Sequence, residues 1–170
     1  METALISLVC IAILLIGTVT TVFTSFRAAT TVSDSLKQWE EQASNIRRTD
    51  ISANGGFSGG YLEIWVTNNG QTNLKDFSKW DIIAQWTSGG TEYISYLTYV
   101  TSGPGDNQWL VEGLYLPDQA QVETLEPNIF NPQEKAKLII SLQPNLSHST
   151  ARITISTPNG VTSQCLVTRN

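Results

Sequence analysis

The chain has 170 residues, 41% of them hydrophobic and only 15% charged, with ten Lys and Arg against fifteen Asp and Glu, a formal net charge of −5. That acidic surplus removes the electrostatic grip on which nucleic-acid binding depends, so no nucleic acid is expected as a partner. Two cysteines, Cys10 and Cys165, rule out a disulfide framework or an all-cysteine zinc site, and the single histidine, His148, rules out most histidine-based catalysis and histidine-cluster metal binding.

The charge is unevenly placed. Residues 1–49 balance four acids (Glu2, Asp34, Glu40, Glu41) against four bases (Arg27, Lys37, Arg47, Arg48), so the whole −5 sits in residues 50–170. All six prolines lie at or after Pro104. The chain divides into two parts with different duties.

Residues 3–26 are uncharged, and residues 5–16 are nearly all aliphatic. As a helix, 24 residues span roughly 36 Å, enough for a hydrocarbon core of about 30 Å. Three readings compete: a secretory signal, a membrane anchor, or the mature end of a pilin-type subunit. A signal calls for a basic start, a shorter apolar core and a small-residue cleavage site; only Glu2 precedes this core. Arg27, Lys37, Arg47 and Arg48 all follow it, which by the positive-inside rule holds the C-terminal part in the cytoplasm. A basic leader ahead of Met1 would restore the outward orientation, which favours the third reading.

Beyond the apolar run, Ala29, Val32, Leu36, Trp39, Ala43 and Ile46 are spaced 3, 4, 3, 4, 3, a narrow a/d seam. Extended backwards it passes through Ser25, Val22, Thr18, Leu15, Ile11 and Leu8. No proline interrupts it, and Gly17 is the only glycine before Gly55. One continuous helix of roughly 65 Å is expected, apolar all round in its first half and amphipathic in its second. Residues 1–49 are therefore the helix. Asn54-Gly55-Gly56 and Gly59-Gly60 make residues 50–60 a glycine-rich hinge.

From Tyr61 the period changes from 3.5 to 2. Leu62, Ile64 and Val66 alternate with Glu63 and Trp65, followed by the turn Asn68-Asn69-Gly70. Further strands are expected at 80–86, 92–100, 108–116 and 136–142, with a closing hairpin at 151–156 and 161–168 around Thr157-Pro158-Asn159-Gly160. About seven short strands over residues 61–170 predict an Ig-like antiparallel β-sandwich. The fold class is α+β: a long pilin-like N-terminal α-helix and a sandwich head.

A long apolar helix ahead of a small sandwich resembles archaellins (archaeal flagellins) and the related archaellar stator proteins, both of the type IV pilin-like superfamily. The phrases LEIWVTNNGQTNLKDFSKWDI (62–82), NIFNPQEKAKLIISL (128–142) and ARITISTPNGVTSQCLV (151–167) carry the likeness, in that order behind the helix. Two departures stand beside it: Leu5 occupies the place of the glutamate of bacterial type IV pilins, and the usual glycine start of a mature archaellin is absent. The resemblance implies processing by a class III signal peptidase, residence in the membrane before assembly, and polymerisation by an assembly ATPase and platform into a helical homopolymer on the cell surface, an archaellum serving motility. On that reading Leu5, Leu8, Ile11, Leu15, Val22, Val32, Leu36 and Trp39 pack the filament core. The alternatives are an anchored stator or minor pilin that binds the cell envelope, and a tethered carbohydrate-binding module.

No enzyme is expected, and no catalytic, cofactor or metal residue is assigned. His148 reads as a solvated loop residue. The loop TSGPGDN (101–107) lacks the Gly-Lys-Ser/Thr ending of a phosphate loop. Asp81, Glu92, Glu112, Glu123 and Glu126 read as scattered surface acids, and Asp106 with Asp118 lacks calcium-loop spacing. Asn145-Leu146-Ser147 is the only N-glycosylation sequon. Cys10 and Cys165 read as buried free thiols. Trp65, Trp80, Trp86 and Trp109 read as core and interface packing, with a sugar-stacking platform as the sharper alternative.

Overall fold

The computed structural model describes residues 2–117, 122–147 and 149–169, with side chains from residue 6 onward. It holds two compact units, Met1–Ala43 and Ser44–Asn170.

The first unit is helical. Helix α1 runs unbroken over Glu2–Arg48, as the proline-free sequence predicts. Threonine is a poor helix former because its hydroxyl competes for backbone groups. Here the competition is resolved inside the helix: Thr18, Thr20, Thr21 and Thr24 donate to the carbonyls of Leu15, Ile16, Gly17 and Thr20 at 2.6–3.0 Å. Arg47 and Arg48 occupy the last turn, where positive charge complements the helix dipole.

The second unit is a two-layer β-structure. Strands β1 (Ile51–Ser58), β2 (Tyr61–Asn68), β3 (Asp81–Ser88), β4 (Thr91–Tyr99), β5 (Gln108–Tyr115), β6 (Lys135–Ser141), β7 (Thr150–Ser156) and β8 (Thr162–Thr168) follow in chain order, with one 3-10 turn at Phe77–Lys79. Their spatial order is β1-β2-β6-β5-β4-β3-β7-β8. All pairings are antiparallel except β4–β5, a short parallel junction of Thr98 with Gln108 and Tyr99 with Trp109. That junction joins a β1-β2-β6-β5 layer to a β4-β3-β7-β8 layer. Leu62, Ile64 and Val66 from one layer and Ile82, Ala84 and Trp86 from the other point inward with Leu138, Ile140, Ile153 and Ile155. Strict alternation puts the intervening residues on two outer faces. At one end Phe77, Trp80 and Phe130 stack with ring centroids 5.1–6.3 Å apart.

The hinge expected over residues 50–60 is corrected: residues 51–58 form β1, paired along its full length from Ile51 with Asn68 to Ser58 with Tyr61. Gly59 and Gly60, at φ of 57° and 90°, make the tight turn to β2. Gly55 is a packing residue rather than punctuation. It faces the core where β1 lies over β8, and a Cβ there would stand 2.3 Å from Val167 and 2.7 Å from Ile64. Glycine lets the sandwich close at this seam.

The turn after β2 is also more than a reversal. Asn68 is fully buried; its amide donates to Thr72 and Phe130 carbonyls, and its side-chain oxygen accepts from Gly70 N–H at 3.1 Å. The turn then holds the chain leaving α1. Asn69 and Gly70 donate to the Asp50 carbonyl, and Gln71 donates to the Arg48 carbonyl at 2.7 Å. Buried Thr49 bonds Thr72 at 2.8 Å and accepts from Asn159 at 2.7 Å. A Cβ on Gly70 would meet the Asp50 nitrogen at 2.5 Å and the Arg48 oxygen at 2.6 Å, so only glycine allows this approach.

Candidate interaction surfaces

Three surfaces carry chemistry that the fold itself does not consume. The first is α1. Leu8, Ile11, Leu15, Val22, Val32, Leu36 and Trp39 are each 58–75% exposed. Leu5 lies outside the described side chains. Among the described residues α1 is the one helix long and apolar enough to cross a membrane, by length and composition. Cys10, expected to be buried, is exposed on it.

The second surface is the outer face of β4-β3-β7-β8. Alternation there brings out Ile83, Ile94, Tyr96 and Leu166, and each is exposed. Register places Ile83 beside Tyr96, Gln85 beside both Ile94 and Arg152, and Arg152 beside Leu166. The apolar positions thus run across the layer between polar ones. Tyr96 donates its hydroxyl to Asp81 at 2.8 Å, and that bond to a carboxylate holds the phenol above its ordinary pKa. Single exposed apolar residues need no explanation; four that share one sheet face make it a candidate contact surface.

The third is the outer face of β1-β2-β6-β5. Trp80, Trp86 and Trp109 are buried, as expected of core tryptophans, but Trp65 is only half-buried and lies on this face. Its ring meets Tyr115 edge-on at 5.1 Å, and Lys137 sits over it at 5.8 Å. Lys137 is committed to Glu112 at 2.7 Å and to Glu63 at 3.5 Å. The hydrogen bond to Glu112, helped by both negative charges, holds the ammonium above its ordinary pKa although burial works the other way. A β-bulge between Val111 and Gly113 turns Glu112 into that position. Beside Trp65 opens a pocket of about 430 Å³ lined by Asn54, Thr67, Tyr115 and Lys135 among others.

The structure brings together some acids that are scattered in sequence. Glu126 and the buried Glu134 both accept from the Asn131 amide, at 3.2 and 3.1 Å, and Glu134 also accepts from Asn131 N–H at 2.7 Å. Glu123 has one carboxylate oxygen buried without a hydrogen-bond partner among the described residues. Burial, then the neighbouring Glu134 and Glu126 charges, push its carboxyl above the usual range. Asp81 and Glu92 stand apart from this group, on β3 and β4, and Glu112 on β5. Among the described residues no group of three or more His, Cys, Asp or Glu is placed to hold a metal ion. His148 and Asp118 lie outside the described residues. Asn145 is exposed, with Leu146 beside it buried as an anchor. Cys165 is buried, and burial pushes its thiol up to about 11.

Sequence reading missed Glu134, immediately before β6, and Lys135, the first residue of that strand. Their neighbours become visible only through strand register.

No protein-family profile matches the chain, and no curated protein does. Several solved structures are similar to it, two archaellum proteins among them. One is the archaellum periplasmic stator protein FlaG from Sulfolobus acidocaldarius, at 22% identity and a TM-score of 0.46, over 69% of this chain and 98% of that one. The other is the archaellum periplasmic stator protein complex of FlaF and FlaG from the same organism, with the same identity and score, over 68% of this chain and 86% of that one.

Proposed function

We propose that this protein is a membrane-anchored structural component of the archaellum type, and that it acts as a stationary anchor of the stator class. In this reading α1 stays in the bilayer and the β-sandwich holds an envelope protein through Ile83, Ile94, Tyr96 and Leu166. One observation carries it. Thr18, Thr20, Thr21 and Thr24 close their hydroxyl bonds on α1's own backbone, so these polar groups need no neighbouring helix to rest in lipid. The uncharged stretch of the helix, residues 3–26, with its threonines internally satisfied, suits a bilayer as a single span.

A second reading, the filament subunit, has its own support. A 47-residue helix is roughly 70 Å long, more than twice a hydrocarbon core. Val32, Leu36 and Trp39 therefore extend beyond any bilayer the apolar half occupies, yet all three are exposed. Sister helices would cover them, and so would the helix of a stator partner.

Fractionating cells that produce the chain separates these readings. Retention in membranes, with none in sheared surface filaments, is expected of an anchor; recovery in filaments would replace it with the subunit reading. Ile94→Glu together with Leu166→Glu is expected to abolish cross-linking of the head to its envelope partner while membrane retention persists. Undiminished cross-linking would move the partner site elsewhere.

A further inference from the structure

We propose that the pocket beside Trp65 binds an acidic saccharide, one carrying a carboxylate or sulfate. The proposal deepens the anchoring reading by adding a glycan to what the head grips. It depends on that reading only for which side of the membrane the head faces.

Register assembles the site. Asn54 on β1 pairs with Trp65 on β2, and Thr67 on β2 pairs with Lys135 on β6, which pairs in turn with Tyr115 on β5. Alternation puts all five on one outer face. Trp65 lines the pocket with an aromatic ring for the C–H face of a pyranose, with Tyr115 meeting the ring edge-on and Lys137 standing over it at 5.8 Å. Asn54, Thr67 and Lys135 supply an amide, a hydroxyl and an ammonium around that ring. None of the three side chains makes a hydrogen bond or ion pair among the described residues, so their bonding capacity is open to a ligand. Gly56, next on the same face of β1, has empty space where a side chain would stand, which leaves the pocket approachable from that edge.

Charge selects the acid. Two lysines share the face, but Lys137 is neutralised by Glu112 and Glu63. Lys135 is exposed and makes no ion pair among the described residues, on a chain of net charge −5. A free ammonium next to an aromatic plane favours a sugar with its own negative group over a neutral one. The volume, about 430 Å³, lies in the range of small-ligand pockets.

The test uses the full chain in detergent micelles and four trisaccharides: trigalacturonate, an oligoglucuronate, a sulfated oligoglucose, and the neutral galactotriose obtained by reducing the first. Saturation-transfer NMR is expected to show at least one acidic probe binding at millimolar concentration or tighter, about tenfold more strongly than galactotriose. Lys135→Gln should remove that preference by weakening the acidic probes about tenfold, and a folded Lys135→Gln that keeps the preference overturns the proposal. Trp65→Ala should abolish acidic and neutral binding alike, whereas Trp65→Tyr, which keeps a ring for packing, should retain binding. Circular dichroism establishes that each variant is folded. The proposal is overturned if no acidic probe binds, or if folded Trp65→Ala binds as the parent does. Membrane retention of Trp65→Ala is expected to be normal either way, so failure here is distinct from failure of the anchoring reading.

Discussion

Helix α1 and the sandwich are built for different solvents. In the sandwich, Ile64, Val66, Ile82 and Ile153 have no exposed surface, because the two layers bury each other. In α1 the equally apolar Leu8, Leu15 and Val22 are largely exposed, while polar groups, the backbone and the hydroxyls of its described threonines and Ser35, are satisfied within the helix. The head buries its core alone and leaves a patch around Ile83, Ile94, Tyr96 and Leu166 exposed, whereas the helix completes only its hydrogen bonding. This is the arrangement of an element whose apolar surface is covered by lipid or by other chains.

The largest expected effect separates these two economies. Leu15→Asp puts a charge near the middle of the apolar run, which costs about 3 kcal/mol in a bilayer. It should strip the protein from membranes while the head's unfolding transition stays where it was. A matching loss of head stability would show that the two units share a core. Next comes Gly70→Ala, where the new Cβ meets backbone atoms of Arg48 and Asp50 that cannot swing aside. A loss of about 3 kcal/mol is expected in denaturant unfolding of the head, with membrane retention unchanged. Gly55→Ala should cost less, about 2 kcal/mol, because the atoms it meets are the tips of Val167 and Ile64 side chains, which can shift. A larger cost at 55 than at 70 would reverse the view that the turn after β2 is the less forgiving site.

The smallest effect is one of pH. Glu123 has a raised pKa in the folded head, mainly through burial. The native state therefore holds that proton more tightly than the unfolded chain does. Its contribution to stability is present at pH below the ordinary carboxyl value and is lost as pH rises through the raised one. Glu123→Gln should accordingly raise the melting temperature at pH 7 and leave it nearly unchanged at pH 4. Equal shifts at both pH values would trace the effect to packing.

Most of the fold was legible because it follows from local periodicity. An uncharged, proline-free run leading into a 3-4 seam dictates a helix, and residues alternating at period 2 from Tyr61 dictate strands. β1 was not legible. Asn54-Gly55-Gly56 has the composition of a turn, and it is a strand because Ile51, Ala53 and Phe57 face the core while Gly55 admits β8. Asn68-Asn69-Gly70 read as a turn, and it is one. That it clasps the chain leaving α1 depends on backbone contacts with Arg48 and Asp50, some twenty residues away, which no local pattern reports.

The candidate surfaces divide in the same way. The exposed positions in the first half of α1 follow from sequence alone, since a helix that is apolar all round has no polar face to present and must seek cover outside itself. The four tryptophans of the head were indistinguishable as letters. Trp80, Trp86 and Trp109 go inside and Trp65 goes outside because side-chain direction in a strand depends on register, which long-range pairing sets. The same pairing brings Asn54, Thr67, Tyr115 and Lys135 around one ring from four strands. Short-range physics wrote the helix and the strand pattern into the chain; which residues meet across the sheet was decided only when the layers closed, because that choice minimises exposed apolar area over the whole head at once.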